Sequence, residues 1–109
     1  MNSSLTTVAQ TQLDAAREAS SGRASATVFG GHEHSLRQTV IALVAGQGLQ
    51  EHESPGEATL QVLQGHVELR ADEATWSGSS GDLLVIPDAR HSLEALEDAA
   101  VLLTVATRR

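Results

Sequence analysis

From residue 25 to residue 106 the chain is a succession of short, apolar-rich runs cut by glycine, proline and small polar residues. This punctuation constrains the fold more than any other feature. The runs are Ala26–Phe29, Leu36–Ala45, Leu49–Glu53, Ala58–Leu63, His66–Arg70, Thr75–Ser77, Asp82–Ile86, His91–Leu96 and Ala99–Ala106. Between them stand breaks such as Gly30-Gly31, Gly46-Gln47-Gly48, Ser54-Pro55-Gly56, Gln64-Gly65 and Gly78–Gly81. Glycine supplies the positive φ of tight turns and proline a fixed one. Many short strands at this spacing, with no helical stretch between them, predict an all-β sandwich or barrel. His91, Leu93 and Ala95 alternate with Ser92 and Glu94, the period of a half-buried strand. Residues 101–105 are nearly all apolar, which suits a strand covered on both faces or by a partner.

The first residues follow a different period. Leu5, Ala9, Leu13 and Ala16, with Val8 beside them, recur at helical spacing, and Gly22 is a natural stop. A short amphipathic helix is expected over residues 5–20. The chain then divides into an N-terminal helical arm, 1–24, and a β-barrel domain, 25–109. A length of 109 residues fits one core and little more.

Composition narrows the chemistry. There is no cysteine, no tyrosine and no lysine, and all seven basic residues are arginines. That excludes a thiolate nucleophile, a Cys-held zinc, a phenolic acid and a Schiff base. No phosphate-binding glycine loop, dinucleotide fingerprint or nucleophile elbow is present, so no nucleotide cofactor is expected. The formal charge of −7 repels phosphate backbones, so no nucleic-acid partner is expected. No apolar run approaches the roughly 18 residues of a membrane span. The residues after Met1 lack the basic and apolar pattern of a secretory signal, and the expected location is the cytoplasm.

Within this frame the stretch from Gly46 to Leu96 resembles the two sequence motifs of the cupin superfamily. The first family motif is a glycine, five residues, His-x-His, a glutamate and a closing glycine; here Gly46 precedes His52 by that interval, and Gly65 closes the hairpin. The second is a glycine, five residues, a proline, a tight turn and a histidine, matched by Gly81, Pro87 and His91. The resemblance implies a double-stranded β-helix, a cupin-like jelly-roll barrel, here with the short N-terminal α-helix added. It also implies a homodimer. In the metal-binding members three histidines and a glutamate converge on one ion inside the barrel. Carried over residue by residue, His52 and His91 stand at two of those positions. Ser54 occupies the second histidine position, Ala58 the glutamate position, and Ala95 that of a later asparagine.

Two imidazoles alone make a weak transition-metal site. The candidates to complete it are His32 and His34, a second His-x-His, and Glu57 beside Ala58, with Glu53 a further carboxylate. Period-two alternation turns Glu57 away from the side of Ala58. The metal implied is one divalent ion of iron, zinc, nickel, copper or manganese. Each candidate also has a plain structural reading. His52 and His91 would be hydrogen-bonded residues at a barrel mouth, and His32 and His34 an exposed loop. His66, Glu68 and Arg70 form a polar, solvent-facing stripe. Arg37 and Gln38 open a strand; one that projects into the cavity could bind a carboxylate or carbonyl, and the commoner reading of Arg37 is a surface arginine. Trp76 reads as packing or a dimer contact.

Three functions fit this reading. The first is a cupin that binds a small molecule, with or without metal. The second is a metal-dependent enzyme of the dioxygenase or isomerase type, and the third a non-catalytic regulatory or structural module. The epimerase branch of the superfamily relies on a tyrosine that this chain lacks.

Overall fold

The computed structural model describes residues 2–52 and 56–107, apart from the side chains of Glu51, His52 and Thr107. One helix, α1 (Leu5–Glu18), precedes nine strands: β1 (Arg23–Phe29), β2 (Leu36–Leu43), β3 (Gly48–His52), β4 (Gly56–Gln64), β5 (His66–Ala71), β6 (Ala74–Ser79), β7 (Leu83–Ile86), β8 (His91–Ala95) and β9 (Ala99–Thr107). The strands form two antiparallel sheets, ordered β1-β2-β9-β4-β7 and β3-β8-β5-β6. This is the jelly-roll arrangement that the turn spacing and the motif resemblance predict.

The core lies between the sheets. Leu43, Val62, Val67, Leu69 and Val101 are almost completely buried there, with Leu60, Ile86, Leu93 and Val105 around them. The run at 101–105 is the middle of the larger sheet, paired with β2 on one side and β4 on the other. Its inner residues Val101 and Val105 enter the barrel core, and Ala100 faces the helix. The apolar outer face near Ala100 is thus explained within one chain, by α1.

Helix α1 begins at Ser4, whose Oγ accepts a hydrogen bond from the N–H of Thr7 at 3.3 Å, a standard N-cap. Ala9, Leu13 and Ala16 pack on Ala42 and Ala100. Alanine on both surfaces lets the helix approach closely, and Leu13 is the large, fully buried side chain that the helix inserts, with Val44 and Leu63 beside the cluster. The helix stops at Glu18, two residues before the sequence expectation. The chain needs Ala19–Gly22 to turn, because β1 already starts at Arg23, opposite Leu43, three residues earlier than expected. Gly22 takes φ +67° in that turn.

Asp98 ties the helix to the barrel. Its carboxylate accepts from the Ala45 N–H at 2.8 Å and from Arg17 Nε at 3.0 Å. These bonds, the Ala45 one foremost, hold the Asp98 carboxyl below the usual aspartate range. Next to its backbone in space, Gly65 closes the β4–β5 turn at φ +87°. A Cβ at Gly65 would run into the Asp98 carbonyl oxygen and lie 2.8 Å from Ala99 Cα.

Two outcomes test this packing. Leu13→Ala should cost about 2–4 kcal/mol in urea unfolding, the range for emptying a fully buried leucine site. A cost under about 1 kcal/mol would mean that the helix is not docked through Leu13. Because the folded Asp98 carboxyl is depressed, its stabilisation is present above the unfolded aspartate value and lost as pH falls through the folded one. Asp98→Asn should therefore destabilise at pH 7, by about 0.2–1 kcal/mol for so exposed a pair. The gap to the parent should close below about pH 4. A gap that is constant with pH would contradict the ion pair.

Candidate functional site

Strands β3 and β8 bring the two motif histidines into register. The backbone of His52 pairs directly with that of His91 across the smaller sheet, after a register shift that follows the Leu49–Leu93 pair. His91 faces the barrel interior and is 4% exposed, the one buried polar or charged residue among those described. Its Nδ1 lies 2.9 Å from the Ala89 carbonyl oxygen. A carbonyl only accepts, so Nδ1 carries the proton, and in the neutral ring Nε2 is the lone-pair nitrogen. An imidazole whose other nitrogen is tied to a backbone carbonyl is the arrangement metal-ligating histidines use.

The described side chains that share a void with that ring are apolar. A void of about 20 Å³ lies between His91 and Leu49, Leu60, Leu69, Leu93 and Leu103. About 10–15 Å³ accommodates one water molecule, so the space between these described residues has the size of a single water or ion. Ala58, at the family's glutamate position, is buried and part of the core. Ala95, at the asparagine position, is fully buried as well.

The remaining candidates stand elsewhere. Glu57 is exposed on β4 and lines a cleft of about 180 Å³ with Thr59, Val85 and Asp88. His32 and His34 are exposed in the connection between β1 and β2, where the His34 ring packs edge-on against Phe29 with centroids 5.1 Å apart. Glu53 and Ser54 lie outside the described residues. Among the described residues no three His, Asp or Glu side chains form a metal-holding group, and no buried side-chain nitrogen or oxygen lacks a hydrogen-bond partner. The described donor set therefore falls short of the four-ligand centre of the metal-binding cupins, and we derive no chemical step through a metal.

Among the described residues, wider spaces are on the inner side of β1 and β2, beyond the reach of the smaller sheet. Leu49 of β3 packs toward Ile41, but Arg23, Ser25 and Thr27 of β1 stay exposed. A hollow of about 340 Å³ is lined by Arg23, Ser25, Thr39, Ile41 and Leu49. It adjoins, at Thr39, one of about 400 Å³ lined by Thr27, Gly30, Gly31, His32, Arg37 and Thr39. Together they make a trough at the open side of the barrel. Arg37 is the strand-opening residue that turns into it; Gln38 faces the other way and bonds Thr104 Oγ1 at 3.2 Å. The hydroxyls of this trough carried no motif. Their signal is an inverted alternation in β1, where the barrel-side residues are polar and the helix-side residues, such as Ala24, are apolar.

On the opposite sheet the stripe expected to face solvent does so. Arg70 bonds Glu68 Oε1 through Nε at 2.7 Å and lies 3.6 Å from Glu94, the cross-strand neighbour of Glu68. Trp76 is half-exposed on β6, opposite Leu69.

No family model matches the chain. No curated protein matches it either. Solved structures do. A conserved protein of unknown function from Streptococcus pyogenes is 30% identical and aligns over 84% of this chain and 79% of its own, with TM-score 0.74. An RmlC-like cupin from Desulfovibrio desulfuricans is 28% identical over 77% of this chain and 81% of its own, with TM-score 0.67. A cupin-superfamily protein from Desulfitobacterium hafniense, 16% identical over 79% of this chain and 78% of its own at TM-score 0.72, shares the fold. With the His52–His91 pairing, the two glycine-bounded motifs and the jelly-roll topology, these likenesses lead to one conclusion: the chain belongs to the cupin superfamily.

Proposed function

We propose that this cupin binds a small molecule, and that the ligand lies in the trough on β1 and β2 rather than in the closed barrel centre. The observation that carries this reading is the contrast in space. About 20 Å³ is free beside His91, against about 340 and 400 Å³ in the two hollows that meet at Thr39. Small-ligand sites are commonly clefts of about 300–1,000 Å³ with a few convergent polar groups.

In the same proposal His52 and His91 hold one divalent transition metal ion, iron, zinc, nickel, copper or manganese, with low affinity. His32, His34 or Glu57 would have to move to join them. No catalytic residue is assigned. The protein works as a cytoplasmic homodimer in this reading. No helix is long and apolar enough to cross a membrane among the described residues. The dimer is supported by apolar side chains left open on the outer face of the larger sheet, chiefly Leu83 at 61% and Val85 at 72% exposure.

Metal per chain, measured by mass spectrometry on tag-free protein, should fall well below one after dialysis. Loading with iron, nickel or zinc should give weak binding that His52→Ala and His91→Ala each abolish. Chelator-resistant metal at one per chain would contradict a two-imidazole site and favour the dioxygenase- or isomerase-type alternative. A metabolite screen by thermal shift should give a ligand-dependent rise in Tm. A flat screen would favour the regulatory or structural alternative. In sedimentation the protein should run as a dimer and Val85→Glu as a monomer; a parent that is monomeric at all concentrations would remove the dimer from the proposal.

A further inference from the structure

We infer that the trough's ligand is an organic acid whose carboxylate or phosphate group sits on Arg37. This rests on the trough reading above and names the chemistry of its ligand.

The chain has fourteen acidic residues and seven arginines, so a guanidinium has many potential partners. Arg17 is paired with Asp14 and Asp98, and Arg70 with Glu68 and Glu94. Among the described residues Arg23 and Arg37 have no carboxylate partner, and both line the trough. A guanidinium without a carboxylate partner on a concave surface of a strongly acidic protein is a local reversal of charge, and that is what an anion recognises.

Arg37 is the better built of the two. Gly30, at φ +117°, lies against it: a Cβ there would be 2.9 Å from Arg37 Cα and 3.0 Å from its Cγ. The absence of a side chain at residue 30 thus leaves room for the arginine stem. Gly31 next to it has nothing within 4 Å of its Cβ direction, which keeps that wall of the hollow open. Thr27 and Thr39 are direct cross-strand partners one rung away. On one face the Cβ atoms of such partners stand about 4.5–5.5 Å apart, and both threonines line the same hollow as Arg37. His32 completes the lining. A planar guanidinium with flanking hydroxyls is a fork suited to the paired oxygens of a carboxylate or phosphate. Past Thr39 the lining becomes apolar at Ile41 and Leu49. That half suits the carbon body of an acid. Arg23 stands three same-face rungs from the Arg37 end, roughly 20 Å along the strand. One small acid does not span both.

The test is a titration of ¹⁵N-labelled protein with sodium succinate, and separately with inorganic phosphate, at ionic strength held constant with sodium chloride. Saturable shifts are expected at the amides of Thr27, Gly30, Gly31 and Thr39 and at Arg37 Nε–H, for at least one of the two probes. The probe that binds tells which oxyanion is preferred. Arg37→Gln should weaken that binding by about tenfold or more, the loss of a hydrogen-bonded charge. Arg70→Gln, whose arginine is already paired outside the trough, should leave it unchanged. Both are surface substitutions, and spectra that superimpose elsewhere confirm the fold. Absence of saturable shifts with either probe, or shifts that survive Arg37→Gln, would overturn the inference. A neutral metabolite that shifts the same amides equally in parent and Arg37→Gln would overturn it too, while leaving the trough as the binding site.

Discussion

Strand β9 is the constraint on which the rest depends. It pairs along its length with β2 and β4, and both faces of its first half are buried, one by the smaller sheet and one by α1. A strand in that position must be apolar on both sides, and residues 99–103 satisfy this without a single polar side chain. Burial of Leu13 and the alanines around it supplies, at ~25 cal/mol per Å² of apolar surface, the favourable term that keeps a thin-faced helix docked. The Arg17–Asp98–Ala45 contact then fixes where along the sheet the helix ends.

The same filling of the interior shapes what the site can do. In the metal-binding cupins the ion is held where polar side chains converge inside the barrel. In this chain alanine replaces the glutamate at residue 58, and leucines crowd His91 from β3, β4, β5, β8 and β9. Each leucine adds core stability and removes volume from the barrel centre. The imidazole of His91 survives in that setting because its Nδ1–H has the Ala89 carbonyl to bond. An unpaired ring nitrogen there would be costly. Among the described residues the wider hollows lie instead where the larger sheet outgrows the smaller one, over β1 and the start of β2.

Much of the fold was legible in the sequence because turn chemistry and period-two alternation act locally. All nine strands were anticipated, most within a few residues at each end. The helix end and the start of β1 were misplaced because the pairing of Arg23 with Leu43 is a long-range fact with no local mark. Glu57's outward direction followed from alternation alone. The trough was not legible. Ser25, Thr27 and Thr39 look like ordinary solvent-facing strand residues, and only the unequal width of the two sheets turns that face into a concave surface. Arg37 against Gln38 was a choice that sequence could pose, and the β2–β9 register decides it.

The most direct test of this account is the protonation and response of the His91 ring, read from long-range ¹H–¹⁵N spectra with and without one equivalent of zinc. The account predicts that Nδ1 carries the proton, and that Nε2 moves on adding zinc but not on adding succinate or phosphate. A proton on Nε2 with no response to zinc, or a large shift of the ring on adding an organic acid, would contradict it. Either would place ligand chemistry in the barrel centre or remove the metal site altogether.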